Sequence, residues 1–129
     1  MIAYAIEAAK ASGCFDHIIV STDDDEVAEI ARAWGAEVPF MRPAELADDH
    51  TPTRPVINHA ISTASSFYGM PEFVCCLYPT AAFVTATDLQ QALKQLQDQK
   101  VDFVFSAAPF AYPVQRGFRT GISTWCGCT

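Results

Sequence analysis

The chain has 129 residues, half of them hydrophobic and 18% charged, with a formal net charge of −7. That length suffices for one domain burying roughly two-thirds of its unfolded surface, and an acidic balance without a basic cluster argues against nucleic-acid binding. No apolar run approaches the roughly 20 residues that span a bilayer. The opening MIAYAIEAAKASG has no basic leader and carries Glu7 and Lys10 within its apolar pattern, so it does not read as a signal peptide.

In chain order, Ile2, Ala5, Ile6 and Ala9 recur at helical spacing and Gly13 follows as a stop. His17–Ser21 is a short β-branched strand. Glu26–Trp34 is a helix with Val27, Ile30, Ala31 and Trp34 on one face, ended by Gly35, and Glu37–Phe40 is the next strand. Met41–Pro52 is a polar loop. Thr53 is an N-cap candidate with Pro55 in the first turn, and Val56, Ile57, Ala60, Ile61 and Ala64 form the buried stripe of a third helix. Phe73–Leu77 reads as a strand buried on both faces, and Tyr78–Val84 as a loop. Thr85 and Asp88 stand in capping-box spacing, with Asp for the preferred Glu, ahead of a helix to about Lys100. Asp102–Ala107 is a last strand, with Phe103 and Phe105 on one face as core residues.

Strand and helix alternate without repeat or linker, which predicts an α/β domain: a mostly parallel sheet covered by helices on both faces. Ligands in such sheets sit outside the carboxyl ends of the strands, which directs attention to Ile18–Thr53. The list opens with a helix at residue 2, whereas doubly wound nucleotide-binding folds open with a strand and a glycine-rich phosphate loop. The six glycines are scattered and form no such loop. The expectation is an incomplete sheet, lacking its first strand and loop. The five cysteines are odd in number and not in metal spacing, so they read as buried thiols and the protein as cytoplasmic.

Several pieces resemble the cytidylyltransferases that activate nine-carbon acidic sugars, the CMP-sialic acid synthetase family. They are IIVSTDD (18–24), RPAELADD (42–49), CLYPTAAF (76–83), DFVFS (102–106) and YPVQR (112–116). CLYPT and YPVQR are most similar to the pseudaminic acid branch. The resemblance covers about residues 1–118 and implies a three-layer α/β/α nucleotidyltransferase, Rossmann-like fold. It also implies an enzyme that joins CTP to the sugar with Mg²⁺ and releases pyrophosphate, acting as a cytoplasmic homodimer with no nucleic-acid or membrane partner. N-acetylneuraminate and legionaminate are the alternative sugars. The family's N-terminal triphosphate loop and its C-terminal portion, with the metal carboxylates and dimerisation segment, have no counterpart here. Residues 119–129 read as a divergent tail. One back-translation of Gly121–Thr129, shifted by two bases, becomes family-like, which suggests a frameshift near Arg119.

The resemblance also nominates residues. Arg42 lies where the family's RPxxLA arginine contacts cytosine, and its planar fork suits the O2 and N3 acceptors of that base; the plain alternative is a surface ion pair with Glu45 or Asp48. Thr51 and Thr53 align with positions that meet base and ribose, though Thr53 could serve only as an N-cap. Asp23 ends its strand toward the cleft, although the run Asp23–Glu26 is explained equally by a helix N-terminus. Tyr78, Thr80, Gln115 and Arg116 are the sugar-facing candidates, and no metal ligand or catalytic residue is assigned. A non-catalytic, receiver-like regulatory domain is the reading from another class. It would need a phosphoacceptor Asp where Tyr78 stands and a Lys after DFVFSA, and neither is present.

Overall fold

The computed structural model describes residues 1–48 and 50–107. Four α-helices account for most of the regular structure: α1 (Ile2–Ser12), α2 (Asp25–Ala33), α3 (Thr53–Tyr68) and α4 (Ala86–Gln99), with a 3₁₀ turn at Ala44–Leu46. Each boundary has a local cause. Gly13 leaves α1 at φ 64, and its N–H donates to the Lys10 carbonyl. Asp24 caps α2, its carboxylate accepting from the N–H groups of Glu26 (2.8 Å) and Val27 (3.1 Å); Asp25 and Glu26 add favourable charge at the positive end of the helix dipole. The far end of α2 closes as a Schellman turn. Gly35 sits at φ 88, and the N–H groups of Gly35 and Ala36 reach the carbonyls of Arg32 and Ala31 at 3.0 Å each. The capping box of α4 forms as read, with Thr85 Oγ accepting from Asp88 N–H (3.2 Å) and Thr85 N–H donating to Asp88 (2.9 Å).

The only ladder pairing among the described residues is a parallel bridge between Ile19 and Glu37. It is closed by Glu37 N–H to Ile18 O (2.7 Å) and Val20 N–H to Glu37 O (2.9 Å). Helices α1 and α2 pack on it through one apolar cluster, in which Ile6 of α1, Ala31 of α2 and Ala36 are buried and Ile2, Ile18, Val20 and Val38 pack against them. α1 also packs on α4, where Gln90 donates to the Ser12 carbonyl (2.9 Å) and binds α4 to the end of α1.

Several expectations fail against this arrangement. Thr53 is not the N-cap of α3. Pro52 holds that position, in extended conformation and with no capping side chain, because Thr53 already adopts helical geometry as the first residue of the helix. Helix α2 buries Ala28 and Ala31 rather than its large residues, leaving Ile30 and Trp34 exposed; close approach to α1 admits only small side chains at the contact. The stripe on α3 is half-buried and contains no buried residue.

Among the described residues the segments 73–77 and 102–107 have no ladder partner. Phe73 and Val74 are exposed, as are the thiol residues Cys75 and Cys76, and Phe103 and Phe105 stack on each other at 6.1 Å while remaining 73% and 74% exposed. The physical reason is common to both segments. A strand apolar on both faces is buried only between paired strands and two covering layers, and the described residues provide neither for these two. Cys14, Cys75 and Cys76 are free thiols; partial desolvation raises the pKa of the latter two.

Candidate functional site

The two bridged segments run parallel, so their carboxyl ends lie together, at Ser21–Asp23 on one side and Phe40–Arg42 on the other. Arg42 is built into that edge from both ends. Its backbone N–H donates to the carbonyl of Thr22 (2.8 Å), one residue out of the register set by the Ile19–Glu37 bridge. Its side chain folds back so that Nε donates to Ser21 Oγ (3.3 Å) and a terminal nitrogen donates to the Ser21 carbonyl. Thr22 itself is buried, and its hydroxyl accepts from Asp24 N–H (3.1 Å), joining this edge to the start of α2. Arg42 makes no ion pair with Glu45 or Asp48 among the described residues, so the surface-pair alternative for it fails. Two contacts to Ser21 orient the guanidinium, and among the described residues the rest of its five N–H donors have no partner. A planar, oriented, half-buried cation with open donors is suited to a ring carrying adjacent acceptors.

The loop after Arg42 is ordered by Asp48. Its carboxylate accepts from His50 N–H (3.0 Å), Thr51 N–H (2.6 Å) and Thr51 Oγ (2.6 Å). These bonds hold the Asp48 pKa below the ordinary value, the Thr51 hydroxyl contributing most. The hydroxyl of Thr51 is thus committed to the loop, also lying 3.4 Å from the Glu45 carbonyl. Thr53, free of any capping duty, instead meets Tyr78: the two hydroxyl oxygens are 2.9 Å apart. One residue nominated for the nucleotide and one nominated for the sugar, 25 positions apart in sequence, are in direct contact.

Tyr78 begins a tight turn in which Ala81 N–H reaches the Tyr78 carbonyl (2.9 Å) and Ala82 N–H the Thr80 carbonyl (2.8 Å). Thr80 is exposed within that turn and, among the described residues, contributes its backbone but no side-chain hydrogen bond. Asp23 is exposed at the strand end beside Arg42's anchor, while its neighbour Asp24 performs the capping. Gln115, Arg116 and the tail from residue 119 lie outside the described residues. The structure places Arg42 and Asp23 at the carboxyl ends of the bridged segments, sets Thr53 against Tyr78, and holds Thr51 inside the connecting loop. Sequence reading missed two residues that make this possible: Ser21, which anchors Arg42, and Asp48, which ties down Thr51. The Asp-x-x-Thr spacing carried a signal for Asp48, since Asp side chains accept from backbone N–H two and three residues on. Ser21 lies within the IIVSTDD piece, but nothing in the sequence marked it as the partner of Arg42.

Mg²⁺, implied by the resemblance, finds no suitable donor set here. Among the described residues no three His, Cys, Asp or Glu side chains converge, and no step is derived through the ion. A different titratable group sits at the opposite end of the bridge. Glu37 accepts from Tyr68 (2.6 Å) and from His17 Nδ1 (2.9 Å), and the His17 and Tyr68 rings stack at 3.9 Å. Tyr68 lowers the Glu37 pKa most, followed by His17, and the same bond raises that of Tyr68. This group fixes the end of α3 to the strands, away from Arg42.

Residues 1–115 match the family described as Cytidylyltransferase. The chain belongs to that family. It is 40% identical over 118 residues to the pseudaminic acid cytidylyltransferase of Campylobacter jejuni strain 81-176, a match covering 92% of this chain and 51% of the relative. It is 51% identical over 61 residues to a CMP-N,N'-diacetyllegionaminic acid synthase of Campylobacter jejuni, covering 47% of this chain and 26% of that one. It is 36% identical over 97 residues to an N-acylneuraminate cytidylyltransferase of Escherichia coli, with 75% and 22% covered. The chain spans about half the length of the pseudaminic acid relatives it matches. Among the described residues of this cytidylyltransferase family member, no helix is long and apolar enough to cross a membrane.

Proposed function

We propose that these residues form the base- and sugar-facing part of a CTP-dependent enzyme that transfers CMP to a nine-carbon acidic sugar of the pseudaminic acid type. The anomeric hydroxyl oxygen of the sugar attacks the α-phosphorus in line. A new P–O bond forms as the bond to the β-phosphate oxygen breaks, the hydroxyl proton is lost to base or solvent, and pyrophosphate leaves. The observation that carries the reading is the 40% identity to a pseudaminic acid cytidylyltransferase across 92% of this chain. The geometry supports it: Arg42 is oriented by Ser21 at the ends of two parallel segments, the place where α/β sheets bind ligands. In this reading Arg42 meets the cytosine, Thr51 and Asp23 line the nucleotide side, and Tyr78, Thr80, Gln115 and Arg116 line the sugar side.

The full fold in this reading is a three-layer α/β/α sheet in which 73–77 and 102–107 are interior strands; their two-sided apolar character and the parallel bridge support it. The enzyme works in the cytoplasm as a homodimer. The six scattered glycines supply no phosphate-cradling loop, so the 129 residues on their own are expected to give no turnover. A second reading, with a legionaminic acid as the sugar, is favoured by the 51% identity over 61 residues to a synthase of that type.

The test is to supply the complete enzyme with CTP and, separately, pseudaminic, legionaminic and N-acetylneuraminic acids, following pyrophosphate release and the mass of the CMP-sugar. Pseudaminic acid is expected to give the highest kcat/KM. Absence of a CMP-sugar with all three refutes the proposal.

A further inference from the structure

We propose that Thr53 and Tyr78 are positioning residues that act as a pair, locking the nucleotide-side helix and the sugar-side turn into one unit. This rests on the functional reading above and adds to it an assignment for two hydroxyls. Thr53 occupies the first residue of α3, and Pro52 ahead of it offers no capping side chain. Tyr78 opens the turn that follows segment 73–77. Among the described residues, the backbone hydrogen bonds outside the helices that involve residues 70–84 are local to the turn: Tyr78 with Ala81, Thr80 with Ala82, and Ala81 with Val84. Apart from a weak 3.7 Å contact of Ser65 with the Met70 sulfur, the described side-chain hydrogen bond that holds this segment to an earlier element is the 2.9 Å contact between Thr53 and Tyr78.

Among the described residues this contact is what joins the sugar-side turn to the start of α3. The same contact decides what the two hydroxyls can do. Each has one proton to donate, and in the pair one donates and the other accepts. The accepting hydroxyl keeps its own proton, and that single donor is what the pair presents to a ligand. The consequence is that disturbing the sugar-side turn moves the first turn of α3, and with it the loop running back through Thr51 to Arg42. Substitution at Tyr78 is therefore expected to alter the KM for CTP, and substitution at Thr53 the KM for the sugar. Side chains that each contacted only their own substrate would leave the other's KM alone.

The experiment is a double-mutant cycle in the complete enzyme with Thr53→Val, Tyr78→Phe and both, with Thr53→Ser as the conservative control. Each single variant is expected to raise both KM values by about three- to tenfold, the loss of one net hydrogen bond. The double variant is expected to be no worse than the weaker single, with Thr53→Ser close to wild type. Multiplying effects in the double variant, or KM changes confined to one substrate per variant, overturn the pairing. Amide hydrogen exchange over residues 70–84 supplies a readout that needs no activity. Faster exchange of 78–84 in both Thr53→Val and Tyr78→Phe supports the tether, and unchanged exchange in folded variants overturns it. If the wild-type enzyme forms no CMP-sugar, the functional reading falls and the exchange result alone decides the pair.

Discussion

Replacing Arg42 with lysine separates charge from geometry at the strand ends. In the structure the guanidinium spends one edge on Ser21, through Nε to the hydroxyl at 3.3 Å and through a terminal nitrogen to the carbonyl, so its remaining donors are fixed in direction before any ligand arrives. A lysine ammonium keeps the charge but has no fork. To hold Ser21 it must turn away from the base, and to meet the base it must release Ser21. The loss is therefore at least one charge-assisted hydrogen bond, each worth about 1.5–3 kcal/mol, or roughly 10- to 150-fold in binding at 1.4 kcal/mol per decade. The assay is the initial rate of pyrophosphate release against CTP concentration at saturating sugar acid. Arg42→Lys is expected to raise the KM for CTP in that range with kcat changed far less, because the base lies remote from the reacting phosphorus. Ser21→Ala is expected to give a smaller rise in the same parameter. A KM for Arg42→Lys within twofold of wild type, in a variant with wild-type circular dichroism, refutes the assignment.

Removing the α2 cap with Asp24→Ala withdraws the bonds to Glu26 and Val27; a loss of about 0.5–2 kcal/mol is expected in urea unfolding. Thr85→Ala breaks the capping box of α4 and is expected to cost about 1 kcal/mol by the same measurement. Gly35→Ala places a Cβ at φ 88 and 2.5 Å from the Lys10 ammonium, and is expected to cost about 1–2 kcal/mol through the left-handed conformation. Tyr68→Phe tests the Glu37 group. A carboxyl whose folded pKa lies below 4.5 contributes stability above its unfolded pKa and loses it as pH falls through the folded value. The gap in Tm between wild type and Tyr68→Phe is thus expected to be full at pH 7 and to shrink below about pH 4.5; a gap independent of pH counts against the bond.

Helix ends and loops were legible in the sequence because their causes are local. Gly13, Gly35 and the Thr85–Asp88 box act within a few residues, and each ends or starts a helix where its chemistry requires. Pro52 shows the limit, since Thr53 has the right hydroxyl for a cap and loses the position to its neighbour by one residue. The burial of strands was not legible because it depends on partners distant in sequence. Phe73, Phe103 and Phe105 carry the pattern of interior residues and stand exposed among the described residues. The candidate site divides the same way. Arg42 and Tyr78 were marked by motif resemblance, whereas Ser21 and the Thr53–Tyr78 contact arise only when segments 21 and 25 residues apart meet.

Discrimination between CTP and UTP tests the central claim most directly, because the two bases differ where the Arg42 fork is assigned. Cytosine N3 accepts a hydrogen bond, while uracil N3 carries a proton that would face another donor. With pseudaminic acid as co-substrate, kcat/KM is expected to favour CTP over UTP by on the order of 100-fold or more, and Arg42→Ala is expected to erase most of that ratio. Equal use of UTP by the wild-type enzyme, or a ratio that Arg42→Ala leaves intact, contradicts the account.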